Sequence, residues 1–490
     1  MKSGATLALT LGVSVCALGQ SPIRLKTGIL DSGQRHEHAA TVPGKRTAHY
    51  IIQFGAYPGP EIRRELARRR IRVLEYVPDF ALMVSSAPDA DLSGLDVRFA
   101  GPLPSAGKLS PELGTRNSPA YLVVFHSDVG MEAARALAVQ RGFVIHENPG
   151  LLPGHLVVSG GWREVNDLAE ADEVAYVLPA RTDLAFGKSV KGCSGALTEA
   201  GPVGEYASVG PGWTADPGGG VALKYAILSL SPALDPAAAR QEFQRAFREW
   251  AKYGNVTFSE SADTGGSRTI AIVSTRRAHG DAYPFDGRGG SVAHAFYPAP
   301  PNHEPIAGDM HLDADEDWRI GADTDVFSVT LHELGHALGL GHSDNPDSVM
   351  YPYYQLSSEL TAGDIAAIRK LYGIPGGGSD PPSGGGGDPG TPDKPPSPSD
   401  NVSPGLRVTY PAMTLVSTYS PSIMVAGTAT DNVGVASVRW STSSGYAGVA
   451  DGTSSWRASI PLLSGTNLVK ITASDAAGNS SWRSITVVRH

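Results

Sequence analysis

The chain has 490 residues, a formal net charge of −9, 41% hydrophobic residues and 18% charged residues. This length exceeds what one hydrophobic core usually supports and predicts about three or four domains. The mild acidity gives no basic face of the kind that nucleic-acid-binding proteins use, so nucleic acid is not an expected partner.

The first 19 residues predict a signal peptide. Lys2 precedes an apolar run from Ala5 to Val15, and small residues follow at positions 17 and 19. Lipid attachment at Cys16 is the alternative, although the valine before it fits a lipobox poorly. No later run approaches the roughly twenty apolar residues of a membrane span, so we expect a secreted, extracellular protein without a transmembrane segment. Residues 20–47 form an N-terminal segment.

Two segments, residues 48–103 and 119–180, repeat one order of predicted elements. The first contains HYIIQF, PEIRRELARRR, RVLEYV and ALMVSS, then a short predicted helix before VRFAGPL; the second contains AYLVVF, MEAARALAVQRG, FVIHE, HLVVSG, WREVNDLAEAD and VAYVLPA. The order strand, helix, strand, strand, helix, strand predicts two ferredoxin-like α+β modules. They resemble propeptide modules of bacterial secreted peptidases, which implies an inhibitory or folding-assisting prodomain. The basic run from Arg68 to Arg70 favours a solvated helix face over a binding patch.

Residues 181–211 form a linker that contains Cys193, and residues 212–374 form the next predicted domain. Its elements are strand VALKYAILS, helix DPAAARQEFQRAFREWAKY, strands VTFSES and TIAIVST, a loop region, the helix around VTLHELGHALGL and a final helix, TAGDIAAIRKLYG. In the first helix, Phe243, Phe247 and Trp250 follow each other at spacings of four and three, which predicts a face that packs in the core.

The sequence HELGHALGLGH, from His332 to His342, has the spacing of a catalytic zinc site. Two histidines four residues apart share one helix face, so His332 and His336 can bind one metal ion. Gly339 permits the positive φ needed to leave the helix and bring His342 round as a third ligand. Three protein ligands leave a position for water, whose pKa zinc lowers from 15.7 to about 7. We assign Glu333 as the base that takes the proton of this water.

The full HExxHxxGxxH string, followed by Met350 in SVMYP, is the metzincin signature. Ser343 directly after the third histidine, and the step from His342 to Met350, resemble the matrixin family of matrix-metalloprotease type. Astacins would have Glu at the position of Ser343, and reprolysins usually Asp.

The matrixin resemblance extends to AHGDAYPFDGRGGSVAHAF and AGDMHLDADEDW. It implies a closed structural zinc site with the ligands His279, Asp281, His294 and His311. It also implies a calcium site formed by Asp286, Asp313 and Glu316, with backbone carbonyls near Gly287, Gly289 and Ser291. Two departures, Thr269 in place of Asp and a longer loop with AGD instead of GGD around Asp309, argue against a second calcium site.

The same resemblance implies the substrate-binding groups. Met350 is expected to form an apolar floor beneath the metal, and a peptide substrate to lie along an edge strand near Val292 and Ala293. Pro352 and Tyr354 are expected in the wall of the pocket for the residue after the scissile bond.

Cys193 is the one cysteine left after removal of a signal peptide, so the mature chain cannot form an internal disulfide. Matrixin zymogens hold a cysteine thiolate on the catalytic zinc, and Cys193 stands just before the expected enzyme domain, as such a switch would. The surrounding KGCSG lacks the family's PRCGxPD sequence, and a lone buried cysteine is the alternative.

Residues 375–404 are rich in Pro, Gly and Ser and predict a flexible linker. Residues 405–490 contain short alternating segments such as SIMVAGTAT and NLVKITASD, which predict an all-β sandwich resembling bacterial Ig-like modules. Trp440 and Trp456 are candidates for sugar stacking, but core packing is the commoner role of such tryptophans.

These features predict a multidomain, secreted zinc endopeptidase made as a zymogen. It comprises a duplicated ferredoxin-like prodomain, an α+β metzincin catalytic domain and an Ig-like sandwich, with zinc and calcium as cofactors and proteins or peptides as substrates. The alternative is a catalytically weak protein that binds a cell surface, carbohydrate, protein or matrix through its Ig-like and duplicated modules.

Overall fold

The computed structural model describes residues 22–30, 47–114, 120–188, 190–207, 210, 212–263, 265–376, 404–411, 415–442, 446–475 and 480–489. The predicted signal peptide lies outside the described residues, as do most of segment 20–47 and of linker 375–404. The chain divides into two compact units, residues 1–382 and 383–490. Of the helices in the described ranges, none has the length and apolarity needed to span a membrane.

Module 1 is a four-stranded antiparallel sheet with one helix. Pro60 begins that helix, at a position whose N–H would have no partner within the helix, so proline costs no hydrogen bond there. The prediction of a second helix is wrong, because residues 87–96 form turns. The Asp91 side chain accepts a hydrogen bond from the Ser93 N–H, and the Arg69 guanidinium donates to the main-chain carbonyls of Asp91 and Ser93. The elements of module 1 are β3 (Ala48–Phe54), α1 (Pro60–Arg68), β4 (Arg72–Val77), β5 (Ala81–Ser86) and β6 (Val97–Gly101), with sheet order β4-β5-β3-β6. Two 3₁₀ turns, Ser105–Lys108 and Pro111–Gly114, lead to module 2.

Module 2 contains both predicted helices. Its elements are β7 (Tyr121–Phe125), α2 (Met131–Gln140), β8 (Val144–His146), β9 (His155–Ser159), α3 (Trp162–Ala169) and β10 (Val174–Pro179), with sheet order β10-β7-β9-β8. In each module the last strand lies beside the first, which lies beside the third, so the two sheets share one strand order. His49 connects the modules through hydrogen bonds to Asp128 at 2.9 Å and Asp172 at 2.8 Å.

Short elements join the modules to the following domain. They are the hairpin β1 (Ile23–Leu25) and β2 (Gly28–Leu30), helix α4 (Thr182–Ala185), and the hairpin β11 (Leu197–Thr198) and β12 (Gly201–Pro202). One hydrophobic core includes buried residues of both modules together with Tyr297, Tyr351 and Tyr353 from the next domain. The domains of this unit therefore share buried aromatic surface.

The third domain has a five-stranded sheet, β14-β13-β15-β17-β16, that is parallel except for the edge strand β16. Its elements are β13 (Val221–Ser229), α5 (Pro236–Ala251), β14 (Val256–Glu260), β15 (Thr269–Thr275), β16 (Ala293–Ala295), β17 (Met310–Asp313), β18 (Trp318–Arg319), β19 (Thr324–Asp325), α6 (Val326–Ala337) and α7 (Ala362–Tyr372). Asp235 and Asp325 cap α5 and α6 by accepting N–H groups of the first turn. As predicted, the aromatic face of α5 is buried.

The second unit has two sheets, β20-β22-β25 and β21-β27-β26-β23-β24, whose facing residues form one hydrophobic core. Its strands are β20 (Gly405–Tyr410), β21 (Leu415–Thr418), β22 (Ser422–Thr430), β23 (Val435–Thr442), β24 (Ala447–Val449), β25 (Ser455–Pro461), β26 (Gly465–Asp475) and β27 (Ser480–Arg489). Trp456 is buried in this core, so it presents no free face for sugar stacking, and Trp440 is partly buried against the same core.

Candidate metal centre and cleft

Helix α6 is buried along its whole length and carries the first two histidines of the site. The ring centroids of His332 and His336 lie 4.8 Å apart. Gly339 has a φ of +96°, the predicted left-handed conformation, and the chain turns there so that the His342 ring comes within 5.4 Å of His332 and 4.9 Å of His336. Spacing and turn thus bring the three imidazoles together.

Each of the two histidines on α6 forms a hydrogen bond from one ring nitrogen to a backbone carbonyl oxygen. His332 Nδ1 lies 2.7 Å from the Val349 carbonyl oxygen, and His336 Nδ1 lies 2.8 Å from that of Leu340. Because a carbonyl only accepts, Nδ1 carries the proton and Nε2 presents a lone pair. The Nε2 atoms of His332 and His342 are buried without a hydrogen-bond partner. Two orphaned imidazole acceptors facing one point suit a zinc ion.

Cys193 completes this cluster. Its Sγ atom lies 3.5 Å from His336 Nε2, and the ligand atoms of Cys193 and the three histidines all lie within 4.8 Å of one another. Burial, and then the Glu333 carboxylate, raise the pKa of the Cys193 thiol well above its ordinary value. A thiolate here therefore requires a neighbouring cation, which a zinc ion would supply.

Glu333 lies beside the histidines with one oxygen free. Tyr354 donates its hydroxyl to Glu333 Oε1, whereas Glu333 Oε2 is buried without a partner. Burial raises the pKa of Glu333 to about 7. Met350 is buried, and its sulfur packs so closely on Gly335 of α6 that a Cβ at that glycine would clash with it. The helix and the methionine turn are therefore in direct contact behind the histidines.

A stretch that we call the cleft segment, residues 190–207, lies across the site. Gly192 forms a parallel bridge to Ser291 beside the edge strand and an antiparallel bridge to Tyr353 on the opposite wall. The Cys193 N–H donates to the Pro352 carbonyl at 2.9 Å, and the Tyr354 N–H donates to the Lys191 carbonyl at 2.9 Å. The expected substrate wall is thus paired, backbone to backbone, with the chain's own residues.

A second cluster lies on the loop before β16, on β16 and on β17. Its members are His279, Asp281, His294 and His311, whose ligand atoms lie within 4.8 Å of one another. Asp281 Oδ2 is central, at 2.9 Å from His279 Nε2, 3.1 Å from His294 Nε2 and 2.8 Å from His311 Nδ1. Burial lowers the pKa of His294 to about 4, so this histidine is neutral at pH 7, as a metal ligand must be.

The six residues predicted to bind calcium do not form one compact ligand group. Asp313 Oδ2 is buried without a partner, and Glu316 accepts the Gly289 N–H at 2.5 Å. Glu316 is also paired with the Lys191 ammonium group. Within the described ranges, the Asp286, Asp313 and Glu316 carboxylates do not form a third compact ligand group beside the two histidine clusters. The two loop glycines, Gly287 and Gly289, have positive φ. The Ser291 hydroxyl donates a hydrogen bond to the Ala293 carbonyl.

Comparison with known proteins identifies the domain that holds both clusters. The family model described as Matrixin matches residues 213–373. Over 166 residues the chain is 39% identical to human matrix metalloproteinase-16, covering 31% of this chain and 27% of that protein. It is 42% identical to rat macrophage metalloelastase over 158 residues, 31% of this chain and 33% of the relative, and 43% identical to rat matrilysin over 155 residues, 30% and 56% respectively. Residues 213–373 are a matrixin domain.

The matches leave most of the chain outside the matrixin domain. The chain spans between about a quarter and somewhat over half of the length of these relatives. A second family model, described as a domain of unknown function (DUF8729), matches residues 24–104 and so covers module 1.

Two residues that contact the site or the cleft segment were not predicted from the sequence. Glu205 accepts a hydrogen bond from His342 Nδ1 at 2.5 Å. Asn302, fully buried in the long loop before β17, donates to the Leu197 and Tyr297 carbonyls and accepts the Glu199 N–H. The length of this loop departs from the family pattern, but no local sequence pattern indicates that it holds the cleft segment against the matrixin domain.

Metal analysis tests the two clusters separately. We expect the purified full chain to retain two zinc ions after dialysis, one in each closed set of four ligands. Substitution His294→Ala should leave one zinc ion, because three groups remain in that set and Asp281 loses a partner. Inductively coupled plasma mass spectrometry measures the content, with His303→Ala, at an exposed histidine of the neighbouring loop, as the matched control. Two zinc ions in the His294→Ala protein would contradict the assignment.

Proposed function

We propose that this chain is a secreted zinc endopeptidase made as a latent zymogen. The observation that carries the proposal is the convergence of Cys193 with His332, His336 and His342 in a matrixin domain whose cleft is filled by the preceding segment. Its substrates would be proteins or peptides, as expected for an open cleft lined by an edge strand. Secretion is supported by the N-terminal sequence pattern alone.

The three histidines would hold the catalytic zinc, which supplies Lewis acidity and an acidified water when bound. Glu333 is the proposed base and acid: its free Oε2 takes the proton of the attacking water and returns a proton to the leaving nitrogen. Val292 and Ala293 would pair with the extended substrate backbone at the edge of the sheet, next to Ser291, where Gly192 now pairs. Met350 supports the α6 histidines from behind.

The proposed pocket wall is held by module 2 in the full chain. The Tyr351 hydroxyl donates to the Pro179 carbonyl at 3.0 Å, and the Arg181 guanidinium donates to the carbonyl oxygens of Tyr353 and Tyr354. Module 2 and Arg181 of the following linker would thus cover the wall formed by Pro352 and Tyr354, as part of the prodomain. Substrate entry requires this cover to leave.

We also propose that the loop around Gly287 and Gly289 binds calcium through Asp286, Asp313 and Glu316, with Ser291 nearby. The buried, unpartnered Oδ2 of Asp313 supports a cation at this position. The structural zinc would occupy the cluster centred on Asp281. The sandwich at residues 404–489 would take no part in catalysis and would provide a surface or matrix contact.

Substitution Glu333→Gln should abolish hydrolysis while zinc content stays the same. Loss of the base is expected to lower kcat/KM by about 10²–10⁴-fold. The measurement is cleavage of a peptide mixture, followed by mass spectrometry, after limited proteolysis of the full chain. Glu359→Gln, at an exposed glutamate of the same domain, is the matched control. Wild-type turnover by the zinc-loaded Glu333→Gln protein would remove Glu333 from the mechanism.

Substitution Cys193→Ser should weaken latency. A serine hydroxyl is a poorer zinc ligand than a thiolate, so the unprocessed full chain should cleave a short fluorogenic peptide faster than the wild type. The increase should remain below the activity of the processed enzyme, because the modules still cover the pocket wall. Ser194→Ala, at the exposed neighbour, should remain latent. Equal latency of the Cys193→Ser and wild-type chains would exclude the thiol as the switch.

The activating cleavage should fall between Ala207 and Trp213. Ala207 belongs to the core shared with the modules, whereas Trp213 belongs to the matrixin core. Trp213 is also anchored by hydrogen bonds from its N–H to the Tyr372 hydroxyl and from its indole to the Ala337 carbonyl. N-terminal sequencing of the active product checks this expectation. A product that begins before Glu205 would contradict it, because the cleft segment would remain attached.

A further inference from the structure

The three zinc-binding histidines differ in where the partner of their second nitrogen comes from. The partners of His332 and His336 are carbonyl groups of Val349 and Leu340, inside the matrixin domain. The partner of His342 is the Glu205 carboxylate, at 2.5 Å from Nδ1. Glu205 lies in the cleft segment, outside the matrixin domain. One ligand of the proposed zinc site is therefore oriented by a residue that leaves on activation.

Glu205 and the residues after His342 lie close to other segments that precede the matrixin domain. The Glu205 side chain is 12% exposed, and its second oxygen lies 3.9 Å from the Lys26 ammonium nitrogen on the first hairpin. Lys26 also pairs with Asp344 at 2.6 Å, and Tyr176 of β10 donates its hydroxyl to the other Asp344 oxygen at 2.6 Å. Three separate segments before the matrixin domain thus converge on the stretch from His342 to Asp344.

We propose that Glu205 is a positioning residue that the prodomain contributes to the zinc site. By accepting a hydrogen bond from the Nδ1–H group, Glu205 fixes the His342 ring with Nε2 toward the metal. Processing would withdraw this carboxylate together with Cys193, so the zymogen holds its catalytic zinc more tightly than the mature enzyme for two separable reasons. This inference rests on the proposed zinc-peptidase function.

The expected size of the effect follows from other metal sites. Removing a carboxylate that orients a metal-binding histidine typically weakens metal affinity by about 10–100-fold. The activated enzyme would then lose zinc to chelators more readily than its zymogen, even when the contribution of the thiolate is subtracted. Zinc availability would become a second condition for activity after cleavage.

The test uses full-length chains that all carry Cys193→Ser and Glu333→Gln, so that neither the thiol nor self-cleavage contributes. Zinc release to a coloured chelator is followed in this parent chain and in its Glu205→Ala, Glu205→Gln and Glu199→Ala derivatives. Glu199 is the matched control, because it lies on the same segment but contacts Arg63 and His303 instead of the zinc histidines. A further His342→Ala derivative identifies which release phase belongs to this site.

We expect Glu205→Ala to weaken zinc binding about 10–100-fold. Glu205→Gln should weaken it less, because the neutral amide oxygen still accepts a hydrogen bond from the His342 Nδ1–H group. Glu199→Ala should match the parent. With cobalt in the site, the visible absorption should change in Glu205→Ala but not in Glu199→Ala, a difference that loosened packing alone would not produce.

Equal zinc release from the parent and the Glu205→Ala chain would overturn the inference. So would an effect of the same size from Glu199→Ala, since that would report general loosening of the segment. If Glu205→Ala does not fold, the processed and intact forms of the Cys193→Ser chain provide the comparison, and equal affinities would refute the proposal. A parent chain that binds no zinc at His342 would instead refute the proposed function itself.

Discussion

The arrangement depends on a buried set of imidazole nitrogens that converge on one point, where a metal ion would satisfy them. His332 and His342 each keep an Nε2 atom buried and without a partner. An unpaired polar atom in a protein interior costs about 1–3 kcal/mol, and the site has two such imidazole nitrogens, beside the unpartnered Oε2 of Glu333 and a buried thiol. A zinc ion would satisfy both nitrogens and stabilise the thiolate. Helix α6, the turn at Gly339 and the packing of Met350 on Gly335 all serve to hold these atoms at one point.

The cleft segment lies directly across this candidate metal site. It pairs with residues beside the edge strand on one side and with the wall from Tyr351 to Tyr354 on the other, in the manner of an added β-strand. Tyr297, Tyr351 and Tyr353 are buried in a core that otherwise belongs to the modules. Removal of the modules would therefore expose aromatic surface beside the cleft.

The sequence was most informative where the chemistry is local. The four-residue step from His332 to His336 and the positive φ of Gly339 follow from helix geometry, and the loop histidines around Asp281 follow the matrixin spacing. The second helix of module 1 was predicted wrongly, because the short polar residues after Ser86 close turns that Arg69 then stabilises. An isolated sequence window does not show that long-range contact.

The contacts between separate parts of the chain were beyond local patterns. Glu205 is 137 positions from His342 in the sequence, and Lys191 is 125 positions from Glu316. Nothing in GPVGEYASVG distinguishes Glu205 from an exposed surface glutamate. Cys193 could be singled out because it was the lone thiol, yet its distance from the histidines depended on how the modules pack against the matrixin domain.

In the proposed zymogen, the Cys193 sulfur is a ligand of the catalytic zinc. Zinc X-ray absorption spectroscopy of the unprocessed protein tests it directly, because sulfur and nitrogen scatter differently at about 2.3 Å and 2.0–2.1 Å. We expect a sulfur contribution in the wild-type chain that disappears in Cys193→Ser. A zinc shell of nitrogen and oxygen alone in the intact wild type would contradict it.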